Sequence, residues 1–284
     1  MSTSSILIVG CGDIGTPLGL QLASEGHAVW GLRRSGQLPE PINTLHADVT
    51  DIESLACLAQ LRFDYVVVTL TPGEFSDQRY QAVYVDGLIN VVAALNDREA
   101  IKRLFFVSST SVYHQGGGQW VDETSAAEAK TFSGQRLLEA EQVAATSGIP
   151  HSVIRFAGIY GPGRKRLIEQ VKAGQGCPSS PSLFTNRIHR DDCVGFLAHL
   201  IMMDCEQQVL ASCYIGVDSE PATLWDVKSW LAEQLGLDPH TLNNGGETRR
   251  SSKRCSNARL LATGYTLRYS GYQQGYGELL IEEE

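Results

Sequence analysis

Residues 4–15 read SSILIVGCGDIG: a short β-branched and Leu run, Ser4 to Gly10, with glycines at 10, 12 and 15. The run is strand length, and the spacing is GxGxxG. A helical pattern covers Asp13 to Glu25 and a second strand covers His27 to Leu32, which completes one βαβ unit. In that context each glycine has its own task. Gly10 permits the tight turn, Gly12 lets backbone approach a pyrophosphate, and Gly15 lets helix and strand pack closely, while the helix N-terminus favours the negative charge. The expected site is a dinucleotide site holding Gly10, Gly12, Asp13, Ile14 and Gly15. A purely structural Gly-rich turn is the competing reading.

Outward from this unit the alternation continues. The pattern predicts a strand at Thr44 to Ala47, a helix at Asp51 to Leu61, a strand at Asp64 to Leu70, and a long helix at Gln78 to Asn96. It then predicts a strand at Arg103 to Ser108, a helix at Ser133 to Thr146 and a strand at His151 to Phe156. Tyr65 to Val68 is apolar without a break, which suits a strand buried on both faces of a parallel sheet. The fold class is therefore α/β, a Rossmann-type doubly wound parallel sheet with a smaller C-terminal substrate domain. After Gly161, Pro162 and Gly163 the regularity weakens, with Gly, Pro and Ser clustered from Gly174 to Ser182. Arg187 to His189, Asp191 to Met203 and Cys213 to Val217 read as strand, helix and strand, then helices follow near Thr223 to Leu235 and Ser256 to Ala262. The expected division is a core of 1–160 to which 185–217 return, and a substrate domain of 161–184 and 218–284.

Composition narrows the function. The chain has 284 residues with 23 Lys and Arg against 32 Asp and Glu, a net charge of -9, which argues against a general nucleic-acid binder. Hydrophobic residues make up 43%, enough for a sizeable core, yet no run approaches the roughly 18 to 20 apolar residues of a membrane span. The N-terminus shows no signal-peptide pattern. Seven cysteines, with no CxxC pair, read as reduced thiols of a cytoplasmic protein, and no metal site is expected. The expected partner is a small-molecule substrate, without nucleic acid or membrane, and with a homodimer left open.

The end of the second strand decides which cofactor is expected. An NAD-preferring site usually carries an acid about 20 residues after the glycines, whereas here Trp30-Gly31-Leu32-Arg33-Arg34 offers two guanidiniums and no acid before Glu40. A guanidinium fork suits a 2′-phosphate, so NADP(H) is expected over NAD(H); a solvated basic turn is the alternative. Asp48 follows the third strand as an acceptor for the adenine amino group or as an ordinary helix cap. Thr69, at the end of the next strand, joins the cofactor set. Cys11 is either a small tolerated residue or a thiol sensitised by the helix N-terminus.

The segments GCGDIG, ADVTD, VSSTSVY, SGQRLLEAE, RFAGIYGPG and IHRDD occur in that order. Together they resemble the extended short-chain dehydrogenase/reductases, the NAD-dependent epimerase/dehydratase family, over nearly the whole chain. The resemblance implies a Rossmann domain that binds a nicotinamide dinucleotide and a C-terminal domain that binds substrate, often a nucleotide sugar. It places Ser109 at the catalytic Ser/Thr, Arg155 to Pro162 on the segment leading toward the substrate domain, and Asp191 and Asp192 at a structural acidic pair. A hydroxyl that satisfies strand-end backbone groups is the other reading of Ser109.

The departure lies in the family's YxxxK pair, whose spacing sets Tyr and Lys on one helix face and whose Lys lowers the Tyr pKa. Ser133 stands at the Tyr position and Leu137 at the Lys position, and none of the ten tyrosines is followed four residues later by Lys. The chain is thus similar to the atypical branch that keeps the cofactor fold without this pair. Gly158 stands where Asn is common before IYGP. His114 stands where VYG would put Gly, which makes it a replacement acid or an exposed loop histidine. Tyr113 is a lining candidate on the same terms. Arg164, Lys165 and Arg166, like Arg249, Arg250, Lys253 and Arg254, are substrate-phosphate contacts or solvated basic turns. Two functions compete: an NADP(H)-dependent oxidoreductase or epimerase on a carbonyl or sugar-like substrate, and a non-catalytic cofactor sensor or interaction protein.

Overall fold

The structure is a computed structural model that describes residues 3–243 and 252–281. The chain runs β1 (Ser5–Val9), α1 (Gly15–Ser24), β2 (Ala28–Arg33), β3 (Asn43–His46), a 3₁₀ segment (Glu53–Gln60) and β4 (Tyr65–Val68). It continues through α2 (Asp77–Tyr80), a π-helical turn (Gln81–Asp86), α3 (Gly87–Ala94), β5 (Arg103–Ser109), β6 (Gln119–Val121), α4 (Phe132–Thr146), β7 (His151–Phe156), β8 (Gly158–Tyr160) and α5 (Arg166–Lys172). The last part holds β9 (Phe184–Thr185), β10 (Arg187–His189), α6 (Arg190–Cys205), β11 (Cys213–Gly216), β12 (Ala222–Thr223), α7 (Leu224–Gln234), β13 (Lys253–Cys255), α8 (Ala258–Ala262) and α9 (Tyr272–Ile281).

Seven strands form the central parallel sheet in the order β11-β7-β5-β4-β1-β2-β3, a Rossmann-type arrangement. The order follows from burial. Ile6 to Val9 and Tyr65 to Val68 are all fully buried, so β1 and β4 occupy the middle, where helices cover both faces. Their parallel register pairs Ile6 with Tyr65 and Val9 with Val68, while β2 pairs with β1 from Ser5↔Ala28 to Val9↔Leu32. The order reverses between β1 and β4, and in open α/β sheets ligands bind outside the strand ends at such a reversal.

Two compact units make up the chain: Met1–Val112 with Ala127–Arg155 and Val194–Tyr214, and Tyr113–Ala126 with Phe156–Cys193 and Ile215–Glu284. The core of the second is built around Tyr160, Ile168, Val171, Val227, Leu231 and Tyr276. Its α7 begins with a reciprocal capping box, Thr223 Oγ1 accepting from the Asp226 amide at 3.1 Å and Asp226 from the Thr223 amide at 3.0 Å.

Several elements differ from the sequence expectation. The segment expected as a helix over Asp51 to Leu61 is 3₁₀, because Ser54 Oγ donates to the carbonyls of Asp48 and Asp51 and Asp51 Oδ1 accepts from the Glu53 amide, holding the tight turn. The long helix expected over Gln78 to Asn96 is three pieces, with an inserted π turn at Gln81–Asp86. β6 and β13 pair in parallel although over 130 residues separate them in sequence, and three residues carry too little periodicity to be read. α9 contains Gly275, which argues against a helix by propensity. Yet a Cβ there would lie 2.2 Å from the Tyr160 hydroxyl, so the helix needs the glycine to approach the ring. Arg249, Arg250 and the acidic end Glu282 to Glu284 lie outside the described residues.

Candidate functional site

The turn after β1 is fixed by backbone bonds to its neighbours. The amides of Gly10 and Cys11 both donate to the Leu32 carbonyl, at 3.0 and 3.3 Å, and Thr69 Oγ1 donates to the Gly10 carbonyl at 2.7 Å. Gly10 has φ +94°, and a Cβ on it would lie 2.9 Å from the Thr69 carbonyl oxygen, so only glycine fits. Gly15 opens α1, and a Cβ there would meet the Gly10 carbonyl oxygen at 2.7 Å and Thr69 Oγ1 at 2.8 Å. Gly12 is the contrast. A Cβ on Gly12 would have nothing within 4 Å. Its open side is what a dinucleotide pyrophosphate requires next to a helix N-terminus.

A cavity of about 240 Å³ lies over this turn, within the first unit. Gly10, Gly12 and Asp13 form one wall, Arg33 and Arg34 come from the end of β2, Asp48 from the end of β3 and Thr69 from the end of β4. Seven of the nine residues expected to hold the cofactor therefore share one cavity. Ile14 and Gly15 are not on its wall: Ile14 is buried at the N-cap of α1 and Gly15 packs the helix against the turn.

Arg79 also lines the cavity, and the sequence reading did not single it out. It sits on α2, the short helix capped by Ser76, and its Nε donates to the Pro72 carbonyl at 3.0 Å. Among the described residues neither Arg33 nor Arg34 is held in an ion pair. Asp48 Oδ1 accepts from the Thr50 amide at 2.9 Å and the Thr50 hydroxyl at 2.8 Å, so one oxygen serves the local turn. Partial burial opposes its charge, but these two bonds together with the charges of Arg34 and Arg79 hold the carboxyl below its ordinary range. Burial pushes the Cys11 thiol up to about 12 against the pull of Arg33, which makes it a packed side chain and not a thiolate.

The residues considered for catalysis are not gathered on either cavity described for the two units. Ser109 ends β5, and its Oγ accepts from the Ser111 amide at 3.1 Å, a strand-end backbone bond. Tyr113 is 1% exposed, with Lys253 Nζ donating to its carbonyl at 3.0 Å, whereas His114 is exposed. On α4, Ser133 Oγ lies 3.1 Å from Thr131 Oγ1, and Leu137 is buried. Gly134 lets the first turn of α4 press on the segment after β5, since a Cβ there would lie 2.8 Å from the Ser111 carbonyl oxygen.

Below this turn runs a buried polar chain that sequence reasoning missed. Ser108 Oγ donates to Glu141 Oε1 at 2.6 Å, and Arg155 reaches the same carboxylate with Nε at 3.0 Å and Nη2 at 2.5 Å. The bidentate pair ties β5, α4 and β7 together. Glu141 is part of the family-like stretch SGQRLLEAE, but nothing local to it reveals a partner 14 residues later. Of the basic clusters, Arg164 and Arg166 line a cavity of the second unit, and Arg254 stacks 4.9 Å from the rings of both Trp120 and Phe184.

Residues 6–186 match the profile of the NAD dependent epimerase/dehydratase family. The chain belongs to that family. A Methylobacillus flagellatus structure described provisionally as an NAD-dependent epimerase/dehydratase is 41% identical, with 99% of each chain covered and a TM-score of 0.86. Protein YeeZ of Escherichia coli K12 is 29% identical over 84% of this chain and 86% of its own. The Bordetella bronchiseptica enzyme WbmG, solved with NAD, is 18% identical, covers 99% of this chain and 94% of its own, and has a TM-score of 0.78, a likeness of fold. Within the family this chain keeps the glycine turn and lacks the YxxxK pair. No helix among the described residues is long and apolar enough to cross a membrane.

Proposed function

We propose that the chain binds NADP(H) through its first unit and acts as an oxidoreductase or epimerase on a carbonyl or sugar-like substrate taken by the second. The observation that carries the reading is the open side of Gly12, set on a cavity whose wall bears Arg33, Arg34 and Arg79 and no acid at the end of β2. The turn amides and the start of α1 would hold the pyrophosphate, and the guanidiniums would fork the 2′-phosphate. The second oxygen of Asp48 would accept from the adenine amino group. When bound, the dinucleotide supplies the hydride donor or acceptor. Ser109 would polarise the substrate oxygen by donating its O–H, its Oγ still accepting from the Ser111 amide, and the proton would come from a group other than a YxxxK tyrosine.

One observation favours the second reading, a cofactor-binding sensor without hydride transfer. Leu137 is buried where the family's Lys would lower a phenol pKa, and Ser133 beside it is an alcohol with nothing to acidify it. Two measurements separate the readings. NADPH and NADH are titrated by fluorescence, with NADPH expected to bind about 10-fold tighter or more. Loss of reduced-nicotinamide absorbance is then followed across a library of carbonyl compounds. Turnover supports the enzyme, binding without turnover on any carbonyl supports the sensor, and equal affinity for the two cofactors removes the assignment of the arginines.

A further inference from the structure

We propose that the second unit holds a compact oxyanion, a carboxylate or a phosphate monoester on a small apolar body, in the cavity walled by Arg164, Arg166 and Arg187. This rests on the reading of the second unit as the one that takes substrate. The cavity measures about 190 Å³. It lies beside the parallel pair β8 and β10, with Ile159 opposite Ile188, and is closed on another side by the start of α5. Three guanidiniums stand on its wall, and among the described residues that line it there is no Asp or Glu. Leu167 and Leu224 supply apolar surface, together with Tyr276, whose ring stacks on Tyr160 at 4.3 Å. Gln170, Thr185 and Asn186 add neutral polar groups, and positive charge beside apolar and aromatic surface is the lining that an anionic group on an apolar body matches.

The second observation is the state of Arg187. It is 3% exposed, and an arginine remains charged when buried. Its Nη2 donates to Thr185 Oγ1 and its guanidinium lies 5.4 Å from the Tyr272 ring centre, but Nη1 is buried with no hydrogen-bond partner among the described residues. Asp218 is the neighbouring acid. Its amide donates to the Arg187 carbonyl at 2.8 Å, yet its Oδ2 is itself buried and unpartnered and does not close on Nη1. Burial pushes the Asp218 carboxyl up to about 7 even against the pull of Arg187, so near neutral pH it leaves part of that charge unanswered. A buried cation with an unmet donor is costly, and an arriving anion would relieve it.

A volume of about 190 Å³ matches one anionic group on a small body, and comparing the small anions with UDP tests whether a larger nucleotide extends from the same place.

Calorimetric titration of the cofactor-free full-length protein with benzoate, phenyl phosphate, benzamide and UDP tests this. Benzoate or phenyl phosphate should bind, the tighter of the two identifying the group, with benzamide about 10-fold weaker or more. The double variant Arg164→Gln, Arg166→Gln alters residues at the rim and should fold; it should weaken the anion about 10-fold and leave NADPH affinity unchanged. Arg187→Gln should lose more, with its fold checked by thermal melt. Equal binding of benzamide, UDP binding tighter than both small anions, or unchanged anion affinity in the double variant would each overturn the proposal, as would no binding of either anion at millimolar concentration. Anion binding in a protein that fails to bind NADPH would sink the cofactor reading and leave this one standing.

Discussion

The two cavities each carry three arginines but solve the problem of charge differently. In the first unit Arg33, Arg34 and Arg79 are half-buried or exposed, and Asp48 sits among them with its own bonds to Thr50. Water and a nearby acid moderate those charges, so they can discriminate between ligands at little expense to the fold. In the second unit Arg187 is buried, and among the described residues its neighbouring carboxylate leaves an oxygen unpaired and no acid lines the cavity. There the charge is tied to the stability of the unit itself. An exposed cluster sets a preference, whereas a buried, incompletely answered one creates a demand for a ligand.

The largest expected effect tests whether the first unit can host the chemistry. Ser133 and Leu137 lie one turn apart on α4, and the double variant Ser133→Tyr, Leu137→Lys should raise a latent reductase rate by roughly 10² to 10⁴-fold, either single change doing much less. The rate is read by nicotinamide absorbance, and a melt checks that an ammonium at a buried Leu position has not unfolded the unit. No gain in a folded double variant would mean that α4 does not face the reacting atoms.

Within the glycine turn, Gly12→Val and Gly15→Val should fail in opposite ways. The first fills open space and should abolish binding of either cofactor with little change in Tm. The second drives a side chain into the Gly10 carbonyl and Thr69 and should lower Tm first, by a destabilisation of about 1 to 3 kcal/mol. Retained NADPH binding in folded Gly12→Val would place the dinucleotide elsewhere.

A smaller effect is expected from the arginines of the first cavity. Arg33→Ala with Arg34→Ala should weaken NADPH by about 1.5 to 3 kcal/mol and NADH far less, with Arg79→Ala a fraction of that because its Nε is already committed to the Pro72 carbonyl. Fluorescence titration at low and high salt reads both. An equal loss for the two cofactors would assign these residues to general attraction and not to the 2′-phosphate.

The smallest effect belongs to the second unit and appears as a pH slope. Burial raises the Asp218 pKa from 3.8 to about 7, so the folded protein binds a proton more tightly than the unfolded chain. Stability from this group is therefore greatest at low pH and is lost as pH rises from about 4 through 7, after which the slope vanishes. Asp218→Asn should flatten that part of the Tm profile and raise Tm relative to the native protein most above pH 7. A profile unchanged by the substitution would mean that Asp218 is ionised throughout and fully answered by Arg187.

Much of the first unit was legible in the sequence because its signals are local. Ile6 to Val9 followed by GxGxxG specifies strand, turn and helix within fifteen residues, and Tyr65 to Val68 can only be a strand covered on both faces. Arg33, Arg34, Asp48 and Thr69 could be placed on one cavity from the sequence because they stand at successive strand ends, and a parallel sheet brings those ends to one edge. The loss of the YxxxK pair is likewise a fact of sequence alone. Tertiary structure decided what depends on partners far along the chain: Arg79 on the cavity over the glycine turn, the chain from Ser108 through Glu141 to Arg155, and the pairing of β6 with β13. It also decided that Arg187, which as sequence is an ordinary residue of a three-residue strand, is a buried cation on the same cavity as Arg164 and Arg166. Local periodicity records which face of an element is apolar; it holds no record of which polar group arrives from elsewhere to answer a buried charge, or of where none does.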